Sequence, residues 1–159
     1  MKLTATRRIQ FCAGHRVYKH ESKCRNFHGH NYVAFLTAVG CFTELDALGR
    51  VVDFGVIKEK VGSWIDANWD HGFIINKEDS EGRKALAVLE QQKVFVMDGN
   101  PTAENMARYL LEVVGQNTLR GEHVALAKVV LWETENCYAE AIRADFEKLT
   151  RREPPKESP

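Results

Sequence analysis

A chain of 159 residues, 44% apolar and 28% charged, can bury one core of ordinary size, which excludes a disordered or fibrous protein. Lysine plus arginine number 22 and aspartate plus glutamate also 22, so the basic excess of a dedicated nucleic-acid binder is absent. The start "MKLTATRRIQF" holds no apolar h-region and no apolar run reaches bilayer length; neither nucleic acid nor membrane is an expected partner, and a cytoplasmic location is expected.

No internal repeat or linker interrupts the chain, so one domain is expected over 1–148, with a flexible proline-rich tail over 149–159. "LTATRRIQFCAGHRV" mixes β-branched and aromatic residues with polar ones and predicts a strand. "HNYVAFLTAVGCF" predicts a second, apolar on both alternating faces and therefore covered on both sides. After the polar turn "TELDALGRV", Phe54, Ile57, Val61, Trp64, Ile65 and Asn68 recur at helical spacing behind Asp53, a suitable N-cap. The charged stretch 78–93 has room for a short extra helix.

In "GNPTAENMARYLLEVVG", Asn100 is the expected cap, Pro101 suits the first turn, and Gly115 is the expected terminator. Ala103, Met106, Ala107, Leu110, Leu111 and Val114 form its apolar stripe. "HVALAKVVLWETENCYAEAIRADF" predicts two strands around a tight turn near Glu135 and Asn136. The order ββααββ predicts an α+β fold, an antiparallel four-stranded sheet with two helices on one face.

Strand side chains alternate, so His28 and His30 project from one face, and a hairpin around loop 16–27 brings His15 beside them. Three neutral imidazoles with an open fourth position are the ligand set of a catalytic zinc. Cys24 can be read in two ways. It is either a fourth ligand that closes a structural zinc site, or an unligated thiol, favoured as thiolate by Lys23 and Arg25, aimed at the open position. Cys12, Cys41 and Cys137 fall in strand patterns and are expected as small apolar core residues, and all four cysteines are expected as thiols. His20 and His123 lack such company and are expected on the surface. Glu133 shares a strand face with Val129 and Leu131, and an acid in an apolar register needs a partner.

"FCAGHR", "CRNFHGHNY", "VVDFGVIKEKV", "WDHGFIIN", "PTAENMA" and "VVLWETEN" follow one another as in the 6-pyruvoyl-/6-carboxy-tetrahydropterin synthase family, which the chain resembles from about residue 3 to 143. The resemblance implies a T-fold whose trimers close their sheets into a barrel and stack as a homo-hexamer. It implies that His15, His28 and His30 hold Zn2+, and that Cys24 is the catalytic thiol. Asp70 and His71 match a dyad that assists the thiol from across a subunit boundary, a role that suits a histidine's pKa and an aspartate's ability to fix its tautomer. Glu133 matches the acid that accepts two parallel donors of the pterin ring. Thr102 and Glu104 match residues lining the pterin pocket, with first-turn capping as their other role.

The implied substrate, 7,8-dihydroneopterin triphosphate, gives Arg16, Lys19, Lys23 and Arg25 a possible anion to hold. Two departures stand out: a longer stretch over 78–97, and Trp69 where leucine is more usual. The resemblance implies a lyase that forms 6-carboxy-5,6,7,8-tetrahydropterin, acetaldehyde and triphosphate, a step toward 7-deazapurines such as queuosine. The short Cys24-to-His28 spacing looks like the bacterial carboxy-forming enzymes, whereas "VVLWETEN" leans toward the pyruvoyl-forming ones. The alternatives are therefore a 6-pyruvoyl-tetrahydropterin synthase, and a non-catalytic pterin-binding module whose zinc is closed by Cys24.

Overall fold

The computed structural model describes residues 3–41 and 45–145; the expected tail over 149–159 lies outside them. The strands β1 (Thr4–His15), β2 (His28–Gly40), β3 (Gly72–Asn76), β4 (Val94–Met97), β5 (Val124–Thr134) and β6 (Cys137–Ile142) form one sheet in the order β4-β3-β1-β2-β5-β6. A first helical run, α1, starts at Phe54–Ile57, widens over Lys58–Gly62 and closes over Ser63–Asn68. Helix α2 is Ser80–Ala87, and a third run, α3, passes through Ala103–Tyr109, Leu110–Val114 and Gly115–Thr118. Among the described residues no helix is long and apolar enough to cross a membrane.

The two predicted hairpins are present: β1 pairs antiparallel with β2, and β5 with β6 around residues 135–136. The sheet is nevertheless mixed and six-stranded, not antiparallel and four-stranded, because β3 runs parallel to β1 and β4 parallel to β3. These two strands have five and four residues, too few to show a period. Helix α2, the short extra helix for which the stretch 78–93 had room, supplies the crossover that parallel neighbours require, so the described residues carry three helical runs, one beyond the expected two-helix layer.

Alternation along β1 and β2 creates two distinct faces. Ile9, Phe11, Ala13, Tyr32, Ala34 and Leu36 are buried, and Ile57, Val61 and Ile65 of α1 and Met106, Leu110 and Val114 of α3 pack in the same core. Both helical stripes lie where their spacing put them, except that Phe54 is exposed at the start of α1. Asp53 caps that helix, accepting from Gly55 N at 2.7 Å. Two end signals read differently from expectation. Thr102, not Asn100, is the N-cap of α3, and Gly115 lies inside the helix. A Cβ on Gly115 would sit 2.7 Å from Leu126 Cδ1, so this glycine serves a close helix-to-sheet approach rather than a stop. Cys12, Cys41 and Cys137 are exposed thiols, not core residues: Cys12 points off the outer face of β1, and the other two flank strand ends.

Trp69 ends α1 fully buried, with ring centroids 5.9 Å from Phe11, 5.3 Å from Trp64 and 5.9 Å from Phe95. This tryptophan joins β1, α1 and β4 where a leucine could not touch all three. Trp69→Ala should lower the unfolding free energy by about 3–5 kcal/mol in a urea titration. Trp69→Phe should cost less than about 2 kcal/mol, because a ring remains and an indole N–H without a partner among the described residues is removed. Equal losses would show that aromatic packing is not the source.

Candidate metal centre and its flanking residues

The β1–β2 register sets His15 opposite His28, and alternation adds His30 on the same face. One ring nitrogen from each converges, all within 4.8 Å of one another. The glycine between His28 and His30 is required by space, since a Cβ on Gly29 would lie 2.9 Å from Ala13 O. His15 Nδ1 donates to Pro101 O at 2.7 Å and His28 Nδ1 donates to Asn26 O at 2.8 Å. A carbonyl can only accept, so both protons are on Nδ1 and both Nε2 atoms carry lone pairs. Those lone pairs face each other at 3.0 Å. Two acceptors so placed call for a cation between them, and carbonyl partners on the far nitrogens are the usual support of metal-bound imidazoles.

The surroundings hold His15 and His30 toward the neutral form. Burial, with smaller contributions from His28 and His30, pulls His15 down to about 4 against the opposing Pro101 hydrogen bond. Burial also lowers His30, against the pull of Glu133. Glu133 Oε1 stands 3.6 Å from His15 Nε2 and 4.0 Å from His30 Nε2, with its side chain 26% exposed. The pairing of β5 with β6 shifts between Trp132 and Thr134, and Glu133 is the extra residue of that bulge, a feature that re-aims a side chain. Tyr32, fully buried, has its titration pushed far upward, first by burial and then by the charge and hydrogen bond of Glu133. Its hydroxyl also lies 3.3 Å from His15 Nδ1. The His15 Nδ1 proton is directed to Pro101 O, so the Tyr32 hydroxyl is left to donate its own proton to Glu133. Tyr32, Pro101 and Asn26 were not singled out as site residues in the sequence, because a backbone carbonyl has no residue signature and Tyr32 reads as strand core.

Cys24 sits half-buried on a short 3-10 turn, Lys23–Arg25, and its carbonyl accepts from Val17 N at 2.8 Å. The converging group is His15, His28 and His30, without the Cys24 sulfur. Asp70 and His71 form their expected pair, with Asp70 Oδ2 2.9 Å from His71 Nδ1. Burial works to raise the Asp70 carboxyl, but hydrogen bonds from Cys12 N and His71 outweigh it and hold the group below its ordinary value. Cys12 O in turn accepts from His71 N, and Lys93 Nζ donates to Asp70 O at 2.7 Å. His71 adopts a left-handed backbone, φ 55°, and its side chain is 80% exposed. It opens on a shallow cleft of about 350 Å³ with Cys12 and Asn31, whose side chains leave the sheet on the face opposite the histidines.

Thr102 follows Pro101 beside His15 and spends its hydroxyl on Asn105 N, while Glu104 is exposed on the first turn of α3. Asn100 links three segments instead of capping: its side chain bonds the backbone of Tyr18 in both directions and receives Asn76 Nδ2. Of the basic loop residues, Arg16 is engaged with Asp79 and Glu81, whereas Lys19, Lys23 and Arg25 are exposed. His20 caps its own turn by accepting from Ser22 N.

The chain matches the family described as 6-pyruvoyl tetrahydropterin synthase over residues 4–144. A Rickettsia typhi protein named 6-carboxy-5,6,7,8-tetrahydropterin synthase is 40% identical over 138 residues, which cover 87% of this chain and 99% of that one. A solved structure from Wolinella succinogenes is similar with a TM-score of 0.75 and 23% identity, covering 90% and 99% of the two chains. The structure of Caenorhabditis elegans 6-pyruvoyl tetrahydropterin synthase gives 0.63 and 25%, covering 91% and 97%.

Because His15 resists protonation when folded, the unfolded chain binds the extra proton between pH 6.5 and about 4. Where the unfolded state binds more protons, stability rises with pH. Metal-free protein should therefore be less stable at pH 5 than at pH 7, by about 1–2 kcal/mol from this group. Urea midpoints at the two pH values measure it, and His15→Gln should flatten the difference. A wild-type midpoint that does not fall at pH 5 would contradict the assignment.

Proposed function

Because the chain belongs to the 6-pyruvoyl tetrahydropterin synthase family, we propose that it converts 7,8-dihydroneopterin triphosphate and water to 6-carboxy-5,6,7,8-tetrahydropterin, acetaldehyde and triphosphate, toward 7-deazapurines such as queuosine. The observation that carries this reading is the convergence of His15, His28 and His30 beside Glu133, in a chain 40% identical to a relative named for that product. His15, His28 and His30 would hold Zn2+. A zinc ion there supplies Lewis acidity toward the hydroxyls of the substrate side chain. Glu133, oriented by Tyr32, accepts the pterin 2-amino group and N3–H, and Thr102 and Glu104 border the ring.

Cys24 removes and returns protons at the side-chain carbons. Asp70, held ionised, keeps the His71 proton on Nδ1 and leaves Nε2 free to take another. Lys19, Lys23 and Arg25 are the cations left for the triphosphate, since Arg16 is occupied. The cleft onto which His71 opens also holds Cys12 and Asn31, whose side chains leave the sheet on the face opposite the histidines, and this favours a dyad supplied to a given metal centre by a second copy. That arrangement supports a hexamer of two trimers, each chain contributing one catalytic domain over 1–148 with the tail over 149–159 outside it.

The name of the Caenorhabditis elegans structure favours a second reading, a 6-pyruvoyl product with the carbon chain kept. The non-catalytic module closed by Cys24 is disfavoured by the position of that thiol outside the converging group.

Incubation with dihydroneopterin triphosphate and a hydrazine trap should yield an aldehyde adduct equimolar with triphosphate; triphosphate without aldehyde would replace the carboxy product by the pyruvoyl one. Cys24→Ala should retain near-stoichiometric zinc and lose at least about a hundredfold in turnover, whereas His28→Ala should lose the metal. Loss of zinc from Cys24→Ala would make the thiol a ligand. Mixed hexamers of Cys24→Ala and His71→Ala chains should recover part of the activity, and verified mixed hexamers without recovery would count against shared sites.

A further inference from the structure

The loop that carries Cys24 begins at Arg16 and ends at Phe27, and one guanidinium touches both ends. Arg16 is the neighbour of the metal ligand His15, and its carbon Cζ lies 5.2 Å above the Phe27 ring, next to His28. Phe27 in turn meets Phe73 of β3 edge-on, with centroids 4.9 Å apart. The other side of the guanidinium faces a carboxylate: Arg16 Nη2 donates to Asp79 Oδ1 at 3.2 Å, and Nε makes an ion contact of 2.6 Å with Asp79 Oδ2 that is too bent for a hydrogen bond. Asp79 is 0% exposed, and its Oδ1 also accepts from Gly82 N at 2.9 Å to cap α2. A Cβ on Gly82 would come within 2.7 Å of Asp79 Oδ2, so the helix start is shaped around this carboxylate. Midway, Val17 N bonds Cys24 O and closes the loop on itself.

A surface ion pair would deserve little weight, but a carboxylate with no solvent access depends on its cation. An arginine is also more restrictive than a lysine here, because one hydrogen bond, a second ion contact and a stacked plane fix its orientation. We propose that Arg16 and Asp79 are positioning residues, and that the 78–97 segment serves the reaction through them. Helix α2 presents Asp79, Asp79 orients Arg16, and Arg16 holds both ends of the 16–27 loop. The loop thereby places the Cys24 thiol relative to the three histidines. Neither Arg16 nor Asp79 touches substrate in this account. The inference rests on the reading of Cys24 as the catalytic thiol.

Asp79→Asn keeps the volume and the cap acceptor while removing the charge, and Arg16→Lys keeps the charge while removing the second contact and the plane. Both should bind zinc as the wild type does. Their kcat should fall about tenfold to hundredfold while KM shifts less than about threefold, because a misplaced thiol impairs chemistry more than binding. The readout independent of turnover is alkylation of Cys24 by iodoacetamide, followed by peptide mass spectrometry with Cys137 as internal reference. Its rate at Cys24 should change at least about threefold in both variants, at Cys137 not at all, because local placement and charge govern thiolate reactivity. Glu81→Gln, altering a partner that is 84% exposed, should resemble the wild type in every measurement.

Folded, zinc-loaded Asp79→Asn and Arg16→Lys with wild-type kcat and wild-type Cys24 alkylation would overturn the proposal. If Asp79→Asn does not fold, Arg16→Lys decides it alone. Should the wild type prove inactive on the pterin, the alkylation result still stands or falls by itself, which separates this inference from the proposed activity.

Discussion

Carbonyls of Pro101 and Asn26 hold the Nδ1 protons of His15 and His28 and leave two imidazole lone pairs facing each other at 3.0 Å. Such an approach is repulsive in a half-buried site unless a cation lies between the rings, and much of the surrounding structure serves to maintain it. The β1–β2 register sets the two rings opposite one another, and Gly29 lets the strands come close enough. Pro101, just before α3, locks one tautomer, and the loop before β2 locks the other. Glu133, on the same strand face as buried Val129 and Leu131, adds a negative charge at the edge of the cluster. A candidate metal centre of this kind is a property of the β-hairpin and its two flanking loops rather than of three residues.

The two faces of the same hairpin have been given different tasks. The helix-covered face carries the core and, at its end, the three histidines, where burial disfavours protonation of His15 and His30. The other face carries Cys12 and Asn31 and opens to the cleft where His71 stands exposed. Asp70 and His71 are held by backbone atoms of β1 and of Ile65 in α1, together with Lys93. A left-handed backbone at His71 is the kind of local strain a structure retains where a side chain must be aimed.

Several elements were legible in the sequence because their periodicity is strong. The hairpin that unites His15 with His28 and His30 follows from two long strands around one loop, and the α1 and α3 stripes from spacings of three and four. The acid Glu133 stood out because it interrupts an apolar register. The short strands β3 and β4 were not legible, since five and four residues carry no period and their parallel pairing depends on a crossover. Asn100 and Gly115 carried valid local signals that tertiary packing redirected: the amide of Asn100 joins Tyr18 to Asn76, and Gly115 makes room for Leu126. Cys12 was misjudged because an alternating strand places a small residue on either face with equal ease.

The sequence by itself determined which side chains were available to a metal, on which strands they lay, and that they shared a face, because side-chain alternation is a local property of extended backbone. It also determined the two main helices, whose apolar stripes leave a single way to bury them. Only the tertiary structure decided the tautomers of His15 and His28, the exclusion of Cys24 from the converging group, the reach of Glu133, and the opening of His71 on a cleft beside Cys12 and Asn31. Each of these depends on contacts between residues far apart in the chain, such as His15 with Pro101, Cys12 with Asp70 and Arg16 with Asp79. A pattern of residue types cannot encode such contacts, because they arise from where packing brings a backbone carbonyl, an amide or a charge.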